Sequence, residues 1–68
     1  MPDKSPIDIS VVIPARDEID NLPPLLDEIH AALAGRDYEI VVVDDGSTDG
    51  TDAMLAQRKQ HDARLRTV

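Results

Sequence analysis

Val41-Val42-Val43-Asp44-Asp45-Gly46-Ser47-Thr48-Asp49-Gly50-Thr51 decides the reading of this chain. A β-branched run passes without transition into two adjacent carboxylates and then into a turn of glycines and hydroxyl residues. β-Branched runs of this kind suit a strand buried in a parallel sheet. A second run, Ile9 to Ile13, breaks at Pro14-Ala15-Arg16-Asp17-Glu18 in a comparable way. Two strands that end in polar loops at one edge of a sheet form the floor of a ligand site.

Between these runs the pattern is helical. Leu22, Leu25, Leu26, Ile29 and Leu33 recur at intervals of three and four, with Ala32 alongside, and this stripe reads as core. Asn21 is suited to cap the helix, Pro23 and Pro24 fall in its first turn, and Gly35 is placed to stop it. Glu18 and Asp20 precede the positive end of the helix dipole. Strand, helix of about three turns and strand make one right-handed βαβ unit. A second helix is predicted from Thr48–Thr51 to about His61, although Ala53, Met54, Leu55 and Ala56 form no clean stripe. Arg64-Leu65-Arg66-Thr67-Val68 alternates as a third strand. The fold class is therefore α/β, a β-α-β-α-β fragment with parallel strands; the runs suit strands covered on both faces, but three strands and two helices cannot close both faces well, so apolar surface open to solvent or a partner copy is expected. Residues 1–6, with two prolines, read as a flexible lead, and 7–68 as the N-terminal portion of a truncated domain.

Composition narrows the function. The chain has 68 residues, short for an independent core, and its one aromatic residue other than histidine is Tyr38. The net charge of −7, from 14 acids against 7 bases, argues against nucleic-acid binding, which needs a basic stripe. There is no cysteine, hence no disulfide framework and no thiolate metal site. His30 and His61 lie far apart and lack metal-motif spacing. No stretch approaches the roughly 18 apolar residues of a membrane span, and Met1–Pro6 lacks the apolar core of a secretory signal. A cytoplasmic location is expected, at the cytosolic face of a membrane if further segments anchor the protein there.

Each polar residue has a structural reading beside a functional one. Asp44 and Asp45 alternate across the strand, so one can face a ligand while the other braces the turn. An ionised carboxylate accepts only, and can take a ring N–H of uracil or guanine, or a ribose hydroxyl. Either acid can instead bond the amides of Ser47 or Thr48. Ser47, Thr48 and Asp49 read as helix caps, Gly46 and Gly50 as turn residues. Arg16 has the fork geometry for a phosphate, or pairs with Asp17 or Glu18 at the surface. Glu18 either holds ribose or base or favours the helix start. His30 falls off the apolar stripe, exposed or edge-packed, and Met54 reads as core. The loop after Val43 lacks the lysine of a Walker loop, and Pro14-Ala15-Arg16 is not a dinucleotide glycine fingerprint.

Val11-Val12-Ile13-Pro14-Ala15-Arg16-Asp17-Glu18, then Asn21-Leu22-Pro23, then Ile40 to Thr51, resembles the start of the inverting GT-A nucleotide-sugar glycosyltransferases. The branch is similar to the dolichyl- and polyprenyl-phosphate mannose or glucose synthases, and the likeness covers residues 7–68. It implies a Rossmann-like GT-A nucleotide-binding sheet and transfer of sugar from a UDP- or GDP-linked donor to an acceptor such as a polyprenyl phosphate. By position, Pro14, Ala15 and Glu18 line the base and ribose pocket, Asp44 reads the base with Asp45 beside it, and Arg16 completes the nucleotide-binding set. The family usually has Asn at the position of Asp17, so this chain places extra negative charge near a diphosphate. The family's metal-binding Asp-x-Asp and catalytic base lie on later strands. A divalent cation, Mg²⁺ or Mn²⁺, is thus expected in the full-length enzyme and not in this segment, which holds no catalytic or metal residue and is expected to be catalytically silent alone. Exposed sheet or helix faces leave room for a homo-oligomer. Two other classes stay open: a receiver-like phosphoacceptor domain, whose paired acids would however follow the first strand, and a structural or regulatory fragment whose acids only cap helices.

Overall fold

The computed structural model describes residues 7–68. The lead at 1–6 lies outside them. Five elements alternate: β1 (Ile9–Ala15), α1 (Leu22–Ala32), β2 (Tyr38–Asp44), α2 (Thr51–Lys59) and β3 (Leu65–Thr67). The sheet order is β1-β2-β3, with both pairings parallel. Ile9 faces Tyr38 at one end of the first pairing and Ala15 faces Asp44 at the other. Ile40 to Val42 pair with Leu65 to Thr67. The predicted β-α-β-α-β fold with parallel strands is the one observed.

The core lies on one side of the sheet. Tyr38, Ile40 and Val42, alternate residues of β2, are buried with Ala15, Leu65, Leu22 and Leu26 of α1 and Leu55 of α2. Ile9, Ile13, Ile29, Leu33 and Met54 pack against this cluster, half-buried. Leu22, Leu26, Ile29 and Leu33 thus behave as the periodicity predicts, but Leu25 does not, being 39% exposed.

The strands are covered on one face only, as expected of three strands and two helices, although β-branched runs of this kind suit cover on both. Both helices pack on the face carrying Tyr38, Ile40 and Val42. Two successive crossovers of one hand between neighbouring strands, taken in one direction, place both helices on the same side. The other face shows Val12 at 62% and Val43 at 37% exposure, a level of apolar exposure at odds with a doubly covered strand. A polar row crosses this open face. The Ser10 hydroxyl donates to Glu39 at 2.5 Å and Arg66 Nε donates to the other Glu39 oxygen at 3.0 Å, linking all three strands. The Ser10 hydrogen bond, outweighing desolvation and helped by Arg66, holds the Glu39 carboxyl below its ordinary range.

The helix ends differ in detail from the sequence reading. Asn21 occupies the N-cap of α1 but its side chain does not cap; it donates from Nδ2 to Glu18 Oε1 at 3.0 Å. The helix needs less capping because Pro23 and Pro24 have no amide hydrogen to satisfy. It ends at Ala32, before Gly35, through the Leu33 amide bonded to the Ile29 carbonyl and the Arg36 amide bonded to the Leu33 carbonyl. The second helix starts at Thr51, within the predicted range, and stops at Lys59, two residues short of the predicted end.

Candidate functional site

At the C-terminal end of the sheet, Ala15 and Asp44 are register partners, and each begins the loop to the following helix. The Asp45 amide donates to the Ala15 carbonyl at 2.9 Å, so the two chains stay paired one residue past the strands. Beyond that point backbone pairing ends and side chains take over.

Five hydrogen bonds involving side chains join the β1–α1 loop to the β2–α2 loop and the first residue of α2, the longest from the Thr48 hydroxyl to Asp17 Oδ1 at 3.4 Å. The Asp17 amide donates to Ser47 Oγ at 2.8 Å. In return the Thr48 amide donates to Asp17 Oδ1 at 2.7 Å. The Glu18 amide donates to Thr51 Oγ1, and the Ile19 amide to Asp49 Oδ2, each at 3.1 Å. Three successive amides of the first loop are therefore satisfied by hydroxyl and carboxylate groups of the second. Such pairing is what exposed loop amides need once the ladder stops.

The backbone bends to allow this. Asp17 sits in the left-handed region at φ +54°, which Asp tolerates better than most residues. Gly46 at φ +73° and Gly50 at φ +95° serve as the turn residues predicted. A Cβ at Gly50 would also meet Ile19 Cδ1 at 3.2 Å, so the close approach of the loops and the dihedral both favour glycine there.

Of the anticipated helix caps, only Asp49 acts on α2. Its Oδ1 accepts the Thr51 amide at 3.0 Å and the Thr51 hydroxyl. The Thr51 hydrogen bond, with the Ile19 and Thr51 amides, outweighs desolvation and holds the Asp49 carboxyl below its ordinary range. Ser47 and Thr48 do not cap the helix; they face the other loop, because the N-cap position falls on Gly50.

Asp44 is half-buried, and its Oδ1 accepts both the Ser47 amide, at 3.3 Å, and the Ser47 hydroxyl. The structural reading of Asp44 as a turn brace is therefore met at that oxygen. Oδ2 accepts no hydrogen bond among the described residues. Asp45 is exposed and lies one residue past β2. Arg16 is exposed and forms no ion pair among the described residues.

Two cavities open at this end. Pro14, Ala15 and Glu18 line one of about 180 Å³, together with Ile13, Asn21, Leu22 and Leu25. Here the exposure of Leu25 is accounted for, since it forms part of the wall. Asp44 lines a different cavity of about 320 Å³, with Asp52, Leu55, Lys59 and Val68. The register pair Ala15–Asp44 contributes one member to each, so the sequence-predicted residues share one end of the sheet but not one cavity.

The sequence profile of glycosyl transferase family 2 matches residues 10–68. The chain belongs to that family. Among curated relatives, it is 51% identical over 51 residues to an undecaprenyl-phosphate 4-deoxy-4-formamido-L-arabinose transferase of Klebsiella pneumoniae subsp. pneumoniae, a match covering 72% of this chain and 16% of the relative. An Enterobacter protein of the same name is 50% identical over 50 residues, covering 71% of this chain and 15% of that protein. A dolichol-phosphate mannosyltransferase of Pyrococcus furiosus is 54% identical over 43 residues, covering 63% and 12%. The match thus spans about one-sixth of these relatives or less. Membership in family 2 sets aside the receiver-like reading and agrees with the resemblance carried by the two loops.

The described residues hold no cluster of the kind that binds a divalent cation. Among the described residues no three histidine or carboxylate side chains converge. One oxygen of Asp44 is already taken by Ser47, leaving few free oxygens there for the near-octahedral shell that Mg²⁺ prefers.

Sequence reasoning missed how much the second loop does for the first. Asp17, Ser47, Asp49 and Thr51 bind between loops, at separations of 30 to 33 residues. The hydroxyl-rich composition of 47–51 was the available signal; the positive φ of Asp17 shows only in the structure. At the opposite end of the sheet, His30 bonds Tyr38 Oη through Nδ1 and Asp62 Oδ2 through Nε2, the latter at 2.6 Å, and Arg64 lies 4.2 Å over the Tyr38 ring. That cluster ties α1 to the starts of β2 and β3, well away from Asp44.

Proposed function

We propose that the full-length protein transfers a sugar from a UDP- or GDP-linked donor to a polyprenyl phosphate, and that this stretch supplies nucleoside recognition. Support comes from family membership, from the polyprenyl- and dolichol-phosphate transferases among its relatives, and from the placement of both acid-ended loops at the C-terminal end of a parallel sheet. The observation that carries the reading is Asp44. Its carboxylate is fixed through Oδ1 by Ser47 and keeps Oδ2 without a protein donor. An acceptor held in one orientation and lacking a partner is suited to a base N–H.

In this reading Asp44 accepts from the base, Pro14, Ala15 and Glu18 flank base and ribose, Arg16 reaches toward the diphosphate, and Asp45 adds to the polar rim. The reaction is an in-line displacement. An acceptor phosphate oxygen forms a bond to the anomeric carbon as the bond from that carbon to the donor diphosphate breaks, and the nucleoside diphosphate leaves with the electron pair. Configuration at the anomeric carbon inverts. The cation and the acceptor site belong to residues other than those described, so the 68 residues recognise the donor and do not transfer. Such a protein works at the cytosolic membrane face, where a polyprenyl phosphate presents its head group; no helix among the described residues is long and apolar enough to cross a membrane.

Calorimetric titration of UDP and GDP into the full-length protein tests the role of Asp44. Loss of a hydrogen bond to a charged acceptor is expected to weaken the preferred nucleotide by about 10- to 100-fold in Asp44→Ala, with the circular dichroism spectrum unchanged. Unchanged affinities for both nucleotides would reject this assignment.

A further inference from the structure

We infer that Asp45 is a site of spontaneous isomerisation, where the chain closes a succinimide ring onto Gly46 and reopens as isoaspartate, while the fold protects Asp49 from the same reaction. The chemistry needs only the backbone and side chains of this loop, whatever ligand the loop binds.

Aspartate followed by glycine occurs twice, at Asp45-Gly46 and Asp49-Gly50. In such a pair the glycine amide nitrogen can attack Cγ of the preceding carboxyl, because no Cβ shields it. A C–N bond forms, the carboxyl hydroxyl leaves as water with the amide hydrogen, and a five-membered imide results. Water then adds to one of the two imide carbonyls. Attack at Cγ restores aspartate. Attack at the main-chain carbonyl carbon breaks its bond to the glycine nitrogen, and the chain then runs through the side chain as isoaspartate. Overall the mass is unchanged, and no co-reactant other than water is needed.

By sequence the two pairs are equivalent; the structure separates them. Asp45 is exposed, and its carboxylate accepts no hydrogen bond and forms no ion pair among the described residues. A Cβ at Gly46 would meet nothing within 4 Å, so there is room for the ring and for the water that opens it. Asp49 is exposed too, yet both of its oxygens are engaged. Oδ1 accepts the Thr51 amide at 3.0 Å and the Thr51 hydroxyl, and Oδ2 accepts the Ile19 amide at 3.1 Å. These donors hold Asp49 as the anion, whereas ring closure proceeds from the protonated acid. Turning its Cγ toward the Gly50 nitrogen breaks them. Gly50 is also closed over by Ile19 Cδ1, 3.2 Å from where a Cβ would stand. At Asp45 the consequence is local: Ser47 donates to Asp44 Oδ1 and closes a turn around Asp45 and Gly46, and isoaspartate puts an extra methylene into the main chain of that turn.

The test is to warm the full-length protein at mildly acidic pH, folded and, in parallel, unfolded in guanidinium chloride, and then to digest it with trypsin. One tryptic peptide, residues 37–58, carries both pairs. Electron-transfer fragmentation cleaves the extra Cα–Cβ bond of isoaspartate and so reports its amount at each position. In the folded protein isoaspartate is expected at 45 in excess over 49 by about tenfold or more, the scale of one hydrogen bond to a charged group that has to break at Asp49. In the unfolded chain the two amounts should be similar. Absence of isoaspartate at 45 in the folded protein, or comparable amounts at both positions there, overturns the inference. So does an excess at 45 that persists unchanged in guanidinium chloride, because the fold then gives Asp49 no protection.

Discussion

Asp49 and Thr51 show how one residue pair holds a site together. Thr51 is fully buried and its hydroxyl both accepts the Glu18 amide and donates to Asp49, so no buried polar atom is wasted there. Asp49 takes these donors only as the anion. Because its carboxyl is held below the ordinary range, its contribution is present above the unfolded value of about 4 and is lost as pH falls through the lower folded value. Thermal melting of the full-length protein across that acid range should therefore show a drop in midpoint that is smaller in Asp49→Asn, which is already less stable at neutral pH. Parallel pH profiles for the two proteins would contradict this role. From sequence, Asp49 was legible as a capping residue by its place before Gly50. Its second bond, to Ile19 thirty residues earlier, was not, because side-chain contacts between loops leave no periodic trace. The Asp17 position follows the same rule. Its acid, where the family usually has Asn, takes up the Thr48 amide, an acceptor role that either side chain's Oδ1 can fill.

Elements were the most legible level. Strands over Ile9–Ile13 and Glu39–Val43 follow from β-branched runs, and α1 from a leucine stripe, since burial against a sheet imposes those periods; Pro14 does not end the first strand, which continues to Ala15, and the second spans Tyr38–Asp44. An open face was expected from the count of three strands and two helices, but composition alone could not say which face it is. A run such as Val11-Val12-Ile13 looks equally apolar on both sides, yet only the Val11 and Ile13 side is sheltered by helices, and Val12 stays 62% exposed. Leu26 is the clearest test of the packed side. It is fully buried at the centre of α1, and Leu26→Ala is expected to destabilise the protein by about 2–5 kcal/mol through lost transfer energy and a residual cavity. The same change at Leu25, 39% exposed, should have a much smaller effect on denaturant midpoints. Equal losses at both positions would show that the helix packs on a different face.

At the scale of the molecule, the ends of the sheet have divided roles. One carries the His30–Tyr38–Asp62 tie, the other the stitched loops around Asp44, about 20 Å apart along a seven-residue strand. The second end is strongly acidic, with Asp17, Glu18, Asp44, Asp45, Asp49 and Asp52 against Arg16 and Lys59. A donor diphosphate would meet repulsion from these carboxylates, with Arg16 as the proposed counter-charge, so the proposed role of this stretch centres on the nucleoside. The matched relatives are more than six times longer than the aligned stretch, so transfer itself is assigned to the rest of such a protein. The measurement that bears most directly on this account is a crystal structure of the full-length protein with its nucleoside diphosphate bound. The account predicts a base N–H within hydrogen-bonding distance of Asp44 Oδ2, with Ser47 still on Oδ1. A base bound away from Asp44, with that carboxylate engaged only by Ser47, would contradict it.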